Sequence, residues 1–244
     1  MIWGCPWGYI LAKIDDWEGI MTTNLEKFHI IGNSRPMLEL ADWLYTAAPH
    51  WDPVLITGER GTGKELLAHA IHALGPTRGK PMTIVDCASL HPATLESTLF
   101  GHERGAFTGA LHRHIGYLEL AHESSVFFDE ITSLTPEAQG RLLRFLEEKT
   151  LTRVGGTHPI AIRTRILAAS NRDMIREIKE GRLLPDLYDR LNVFPVQLPP
   201  LRQRDGDVLL LAEHFLGKEQ FETISAEIKE ELAGYDYPGN IREL

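Results

Sequence analysis

Residues 54–65 read VLITGERGTGKE, and the rest of the chain is organised around them. VLIT (54–57) is a continuous apolar run of strand length, and LLAHAIHAL (66–74) spaces its apolar residues as a helix does. Between them, GERGTGKE (58–65) sets Gly58, Gly61 and Gly63 where the backbone must curl so that successive N–H groups converge. Strand, glycine-rich turn and helix in this order are the context a phosphate-binding loop requires. The helix start offers its positive end to an anion, and Lys64 adds a point charge for the outer phosphates. The other reading is a plain glycine-rich turn between strand and helix. On the phosphate-loop reading, Gly58, Glu59, Arg60, Gly61, Thr62, Gly63, Lys64 and Glu65 cradle the phosphates of a nucleotide. Glu65 stands where the general motif has Ser or Thr to ligate Mg²⁺, so other groups are expected to hold the metal.

Working outward, MTIVDC (82–87), SVFFD (125–129) and ILAAS (166–170) are apolar runs like VLIT, each separated from the next by helix-length sequence. Such runs alternating with helices predict an α/β fold, a parallel sheet flanked by helices on both faces. After QLPPLRQR (197–204) only helical patterns remain, DVLLLAEHFLGKEQ (207–220) and ISAEIKEELAG (224–234), which predicts a small C-terminal helical lid subdomain. The expected division is an α/β body over 28–198 and a lid over 199–244. Residues 1–27 hold Trp3, Trp7 and Trp17 without a sustained period and read as an N-terminal extension. Met21 opens a more ordinary segment, so an upstream start or a non-native leader is as good a reading as a functional arm.

SSVFFDEI places Asp129 and Glu130 at the C-terminal end of an apolar strand, where open α/β sheets bind ligands. Asp129 there can hold Mg²⁺, directly or through water, and Glu130 can polarise an attacking water. Acidic capping of a helix beginning near Pro136 is the other reading. ILAASNRD brings Ser170 and Asn171 to the same edge, where Asn171 either senses the terminal phosphate or belongs to an ordinary turn.

Composition narrows the classes. The chain has 244 residues, 43% of them hydrophobic, and a formal net charge of -9. That is enough for one sizeable core, and the charge argues against tight DNA binding by phosphate neutralisation in this segment. Cys5 and Cys87 have neither disulfide-framework nor zinc spacing, which points to a reducing cytoplasm. The apolar start MIWGCPWGYILA stops at Lys13, short of the ~20 residues that would span a bilayer, so no membrane partner is expected.

GHERGAFTGA (101–110) carries no nucleophile, metal-ligand spacing or paired acids, yet glycines bracket a Phe-Thr pair. Together with FFDEI, LLRFLEE, RVGG, SNRD, DLYDRLNVFPVQLPPLRQR and YPGNIREL in that order, it is diagnostic. From about Phe28 to its last residue the chain resembles the AAA+ bacterial enhancer-binding proteins, activators of RNA polymerase carrying the sigma-54 factor. GAFTGA, intact here, is that family's signature.

The resemblance implies an AAA+ P-loop NTPase that hydrolyses ATP with Mg²⁺ and assembles as a homo-oligomeric ring, a hexamer. It implies that Gly105, Ala106, Phe107, Thr108, Gly109 and Ala110 form a loop tip that presses on the sigma-54 factor. It further implies a trans arginine reaching the neighbour's phosphates. Arg190 falls on the second such position, Leu184 replaces the first, and Arg182 lies two residues off register. Asp86 stands where relatives carry an asparagine that holds the catalytic glutamate, which implies altered coupling between sigma contact and hydrolysis. Arg242 matches a lid arginine that contacts nucleotide, the other reading being an Asn240-capped helix start with Arg242 solvated. Because Leu244 lies about one turn into that helix, the lid is expected to be truncated and Arg242 poorly fixed. Two functions of different class follow: an ATP-hydrolysing transcription activator, or a weakly hydrolytic nucleotide-binding regulatory module that assembles with complete relatives. GAFTGA disfavours a third, another AAA+ remodeller such as a helicase loader.

Overall fold

The computed structural model of the protein describes residues 25–244, and the expected tryptophan-bearing stretch lies outside the described residues. The chain runs α1 (Arg35–Ala47), β1 (Val54–Thr57), α2 (Lys64–Leu74), β2 (Thr83–Asp86), α3 (Pro92–Phe100), α4 (Tyr117–Leu120) and β3 (Ser125–Asp129). It continues through α5 (Pro136–Glu148), β4 (Thr150–Leu151), β5 (Ile160–Ala161), β6 (Arg165–Ser170), α6 (Met174–Lys179), α7 (Pro185–Leu191) and β7 (Phe194–Gln197). The helices α8 (Asp207–Leu216), α9 (Lys218–Glu222) and α10 (Ala226–Gly234) follow.

The apolar runs become strands of one five-stranded sheet in the order β2-β3-β6-β1-β7. Every pairing in it is parallel. The side-chain period of two then divides the core. Val54, Ile56, Phe127, Leu167 and Ala169 point to the face covered by α1 and α2, while Leu55, Val126, Phe128, Ile166 and Ala168 point to the face covered by α3 and α5. Consecutive phenylalanines in β3 thus serve opposite layers, which is why the central strands read as unbroken apolar runs.

Sequence and structure differ at the sheet edges. β7 was not among the expected strands, because Pro195 interrupts its pattern and only Val196 is buried. A proline is tolerated there because, among the described residues, β7 is an edge strand paired on one side, to β1. On the opposite edge β2 buries Val85 but exposes Ile84, so its continuous apolar run is half solvated. Leu25, assigned to the extension, is buried with Ile30 in the α1-side cluster. The expected 207–220 helix breaks at Gly217 (φ 81°), giving α8 and α9.

Arg165 begins β6 as a fully buried cation. Its guanidinium donates to the carbonyls of Ala48 (2.6 Å), Ala47 (3.0 Å) and Ile71 (3.4 Å). These are terminal carbonyls of α1 and α2, which need a donor and favour positive charge. The lid has its own small core of Ile31, Leu201, Val208, Leu211 and Tyr237, and Ile31 comes from the strand-free segment before α1. Phe127→Ala is expected to lower the unfolding free energy by about 3–5 kcal/mol in urea titrations. Ile84→Ala, on the solvated edge, is expected to cost less than about 1 kcal/mol.

Candidate functional site

Strand alignment builds the site. Parallel register sets Thr57 beside Ser170 and Asp86 beside Asp129, so the C-terminal ends of β1, β2, β3 and β6 share one edge. The phosphate loop springs from β1 at that edge. Gly61 (φ 76°) and Gly63 (φ 96°) hold left-handed conformations that L side chains rarely adopt. Thr62 is buried, its hydroxyl donating to the Glu59 carbonyl at 2.9 Å. Among the described residues, none of the backbone N–H groups from Glu59 to Glu65 donates a hydrogen bond to the protein. Converging free donors at the start of the 11-residue α2 fit a chain of phosphates.

Lys64 is buried beneath the loop, its Nζ donating to the carbonyls of Gly58 and Glu59, both at 3.0 Å. Burial pushes its pKa down, against the pull of Glu130 and Asp129, which places these carboxylates within electrostatic reach. Glu65 is exposed and lies 3.9 Å from His69 on the next turn of α2.

At the end of β3 the Asp129 carboxylate accepts from the Glu130 N–H at 3.1 Å. Glu130 adopts φ 52°, a strained conformation for a side chain of its size. Its carboxylate accepts from the Asn171 N–H at 3.3 Å, so the turn after β6 orients it. The acids do not cap α5; Thr135 does, accepting from Ala138 N–H at 3.4 Å. Asp86 caps its own turn, accepting from the N–H groups of Ala88 (3.0 Å) and Ser89 (3.3 Å). Its Oδ1 thereby holds the turn that follows β2. Among the described residues no cluster of three His, Cys, Asp or Glu side chains is arranged to hold a metal.

The trans-arginine candidates separate. Arg190 sits on α7 with its side chain 59% exposed and, among the described residues, a single ion pair, to Glu147 at 3.3 Å. Arg182 is held within its own subunit: its guanidinium forks onto Glu177 (2.7 and 2.6 Å) and also pairs with Glu180. Leu184 packs against the body core, and its N–H donates to Gln139 at 2.9 Å.

The lid corrects two further expectations. Asn240 does not cap a helix start but is a fully buried tie, while Arg242 is exposed. Its Oδ1 accepts from Leu201 N–H at 2.7 Å, and its Nδ2 donates to the Arg60 carbonyl at 3.0 Å and the Glu59 carboxylate at 3.1 Å. Ile241 N–H donates to the Gly61 carbonyl at 3.0 Å, so Arg242 is carried on a short turn fixed to the phosphate loop. The Glu59 side chain, expected among the nucleotide contacts, instead faces the lid. A cavity of about 250 Å³ opens between loop and lid, lined by Ile31, Thr62, Leu211, Phe215 and Ile241 among others. No motif marked Ile31, Leu211 or Phe215; the i,i+4 pair Leu211 and Phe215 was the available signal.

GAFTGA lies in the loop joining α3 to α4. Its neck is closed by paired hydrogen bonds between His102 and His114 (3.1 and 2.9 Å). Arg153, from the loop between β4 and β5, grips it through Glu103 (2.5 Å) and Glu119 (2.6 Å). Gly105 N–H donates to the Ala110 carbonyl at 2.8 Å, closing the hexapeptide on itself. Phe107 is 47% exposed, with its edge against His102, while Ala110 is buried. Leu111, unmarked by the sequence reading, adds a 73% exposed apolar side chain next to the tip. Among the described residues no helix is long and apolar enough to cross a membrane.

Known proteins match this arrangement. The family described as the sigma-54 interaction domain matches residues 30–197, and the AAA+ ATPase lid domain matches 202–244. The DNA-binding transcriptional activator HyfR of Escherichia coli is 43% identical over 230 residues, covering 92% of this chain and 34% of that protein. The nitrogen fixation protein AnfA of Azotobacter vinelandii is 43% identical over 222 residues, covering 88% of this chain and 42% of that protein. The chain thus spans between a third and a half of these relatives. A crystal structure of NtrX from Brucella abortus in complex with ATP superposes with a TM-score of 0.78 at 33% identity, covering 88% of this chain and 50% of that one. The chain belongs to the sigma-54 interaction domain family, an AAA+ body followed by an AAA+ ATPase lid domain.

Proposed function

We propose that this chain binds and hydrolyses ATP and uses the cycle to remodel sigma-54-bound RNA polymerase through its 105–110 loop. The observation that carries the reading is the convergence of Lys64, Asp129, Glu130 and the Asn171 turn at one sheet edge around a loop of free N–H donors. The ATP complex of NtrX supports the same ligand here.

In this reading the N–H groups of residues 59–65 and the Lys64 ammonium hold the phosphates, and Arg242 approaches them from the lid. Mg²⁺, held by Asp129, supplies charge neutralisation at the phosphate oxygens when bound. Glu130, oriented by Asn171 N–H, accepts a hydrogen bond from the attacking water and takes its proton as the water oxygen bonds to the terminal phosphorus and the bridging P–O bond breaks, its electron pair leaving with ADP. Arg190, exposed and weakly held, suits insertion into a neighbouring subunit's site in a closed ring, where its charge stabilises the transition state. Phe107 and Leu111 give the loop a compact apolar contact for the sigma factor. The net charge of -9 leaves DNA gripping to other surfaces, and a cytoplasmic setting goes with the partner.

Steady-state ATP hydrolysis against protein concentration, with Lys64→Ala as the blank, is expected to rise steeply in specific activity as rings assemble. A rate at the blank's level throughout would leave the regulatory-module reading, with Leu184 as its cause. Glu130→Gln is expected to keep nucleotide affinity within a few-fold while lowering turnover at least about a hundredfold, the share typical of a general base. Phe107→Ala is expected to leave ATP turnover and urea stability unchanged within about 0.5 kcal/mol, as for exposed sites, but to abolish capture of the sigma-54 factor in pull-downs with a transition-state analogue.

A further inference from the structure

We propose that Glu59, Arg202 and Asn240 are positioning residues that latch the lid onto the phosphate loop and so set how long nucleotide stays bound. The inference rests on the nucleotide reading above and concerns a carboxylate whose place in the loop suggests a ligand contact. A carboxylate aimed at phosphate oxygens would repel them, and Glu59 is turned away. Arg202 grips it with both arms of its guanidinium, at 2.8 and 2.5 Å, the bidentate geometry that makes such pairs specific. Asn240 spends its amide on the same carboxylate and on the Arg60 carbonyl, while its oxygen holds Leu201, the residue before Arg202. Arg202 and Asn240, 38 residues apart in the chain by their numbering, thus close on one loop residue.

The latch bears on the site because its anchors are the phosphate loop itself. Gly61 accepts from Ile241 N–H, and a side chain at Gly61 would collide with the Gly239 carbonyl, so only glycine lets the lid turn seat this closely. The seated turn carries Arg242, whose charge reaches Lys64. The same turn lines the cavity with Ile241, as the phosphate loop does with Thr62 and Gly63. Nucleotide held between loop and lid cannot leave by this side until the Glu59 contacts break.

Hydrogen bonds from Arg202 and Asn240 hold the Glu59 carboxyl at about 2. A depressed carboxylate pKa keeps its stabilisation above the ordinary carboxylate range and loses it only as pH falls towards 2, so the latch stays charged from pH 5 to 9. Arg202 and Glu59 are 39% and 43% exposed, so salt rather than pH weakens the latch.

The test is stopped-flow release of a fluorescent ADP analogue from the parent chain, Glu59→Gln, Arg202→Gln and the double variant, with hydrogen exchange at Ile241 alongside. Each single variant is expected to speed release roughly three- to tenfold, the range spanned by networked pairs, and the double variant to add little. Exchange at Ile241 is expected to quicken while the thermal midpoint of the body holds, which a purely structural role would not give. If Glu59→Gln fails to fold, Arg202→Lys, which keeps charge but loses the fork, is expected to give the same acceleration. Unchanged release with normal binding, or effects that multiply independently, would overturn the latch alone. Failure of the parent to bind the analogue would overturn the nucleotide reading and the latch's part in release, while exchange at Ile241 would still report whether the lid is held.

Discussion

Parallel alignment of β1, β3 and β6 is the constraint from which the site follows. Strands running the same way with neighbouring register must end at the same edge, and whatever follows each strand is delivered there. After β1 comes the glycine loop, after β3 the acid pair, after β6 the Asn171 turn. None of these segments is near another in sequence, and none would act alone. Arg165 contributes from the opposite end of β6, where it ties the last turns of α1 and α2 to the sheet.

The site lies between two kinds of joint. On one side the lid is bolted to the phosphate loop by polar contacts that cross the subdomain boundary, from Glu59, Arg60 and Gly61 to Arg202, Asn240 and Ile241. Beside it, buried Arg204 and Asp207 pair at 2.9 Å, and Asp207 also accepts from Asn33 and Ser34, fixing the lid's first helix to the segment before α1. On the other side, the 101–116 loop leaves the body through a neck held by histidine backbone pairs and Arg153. The strand ends therefore face an exposed polar contact on the lid side and a clamped neck on the loop side.

The body was legible because its signals are local and strong. VLIT, SVFFD and ILAAS each sit in a central strand buried on both faces, so their apolar runs are continuous. β7 was missed because an edge strand needs only one buried side chain and tolerates Pro195. Asp86 carries a local contact that its likeness to a family position did not announce: its carboxylate accepts from the Ala88 and Ser89 N–H groups.

What the sequence by itself determined is the order of the chemistry: glycine loop, Phe-Thr loop, acid pair, polar strand end and lid arginine, each tied to a period or motif that a few neighbouring residues specify. What only the tertiary structure decided is where side chains of ambiguous position point. Glu59 turns from nucleotide to lid, Asn240 from helix cap to buried tie, and Arg182 from candidate finger to partner of Glu177. Their partners lie on other segments, apart from Arg182, whose partner Glu177 is five residues away. A polar side chain's direction is set by the donors and acceptors that packing brings within about 3 Å, which no local spacing reveals.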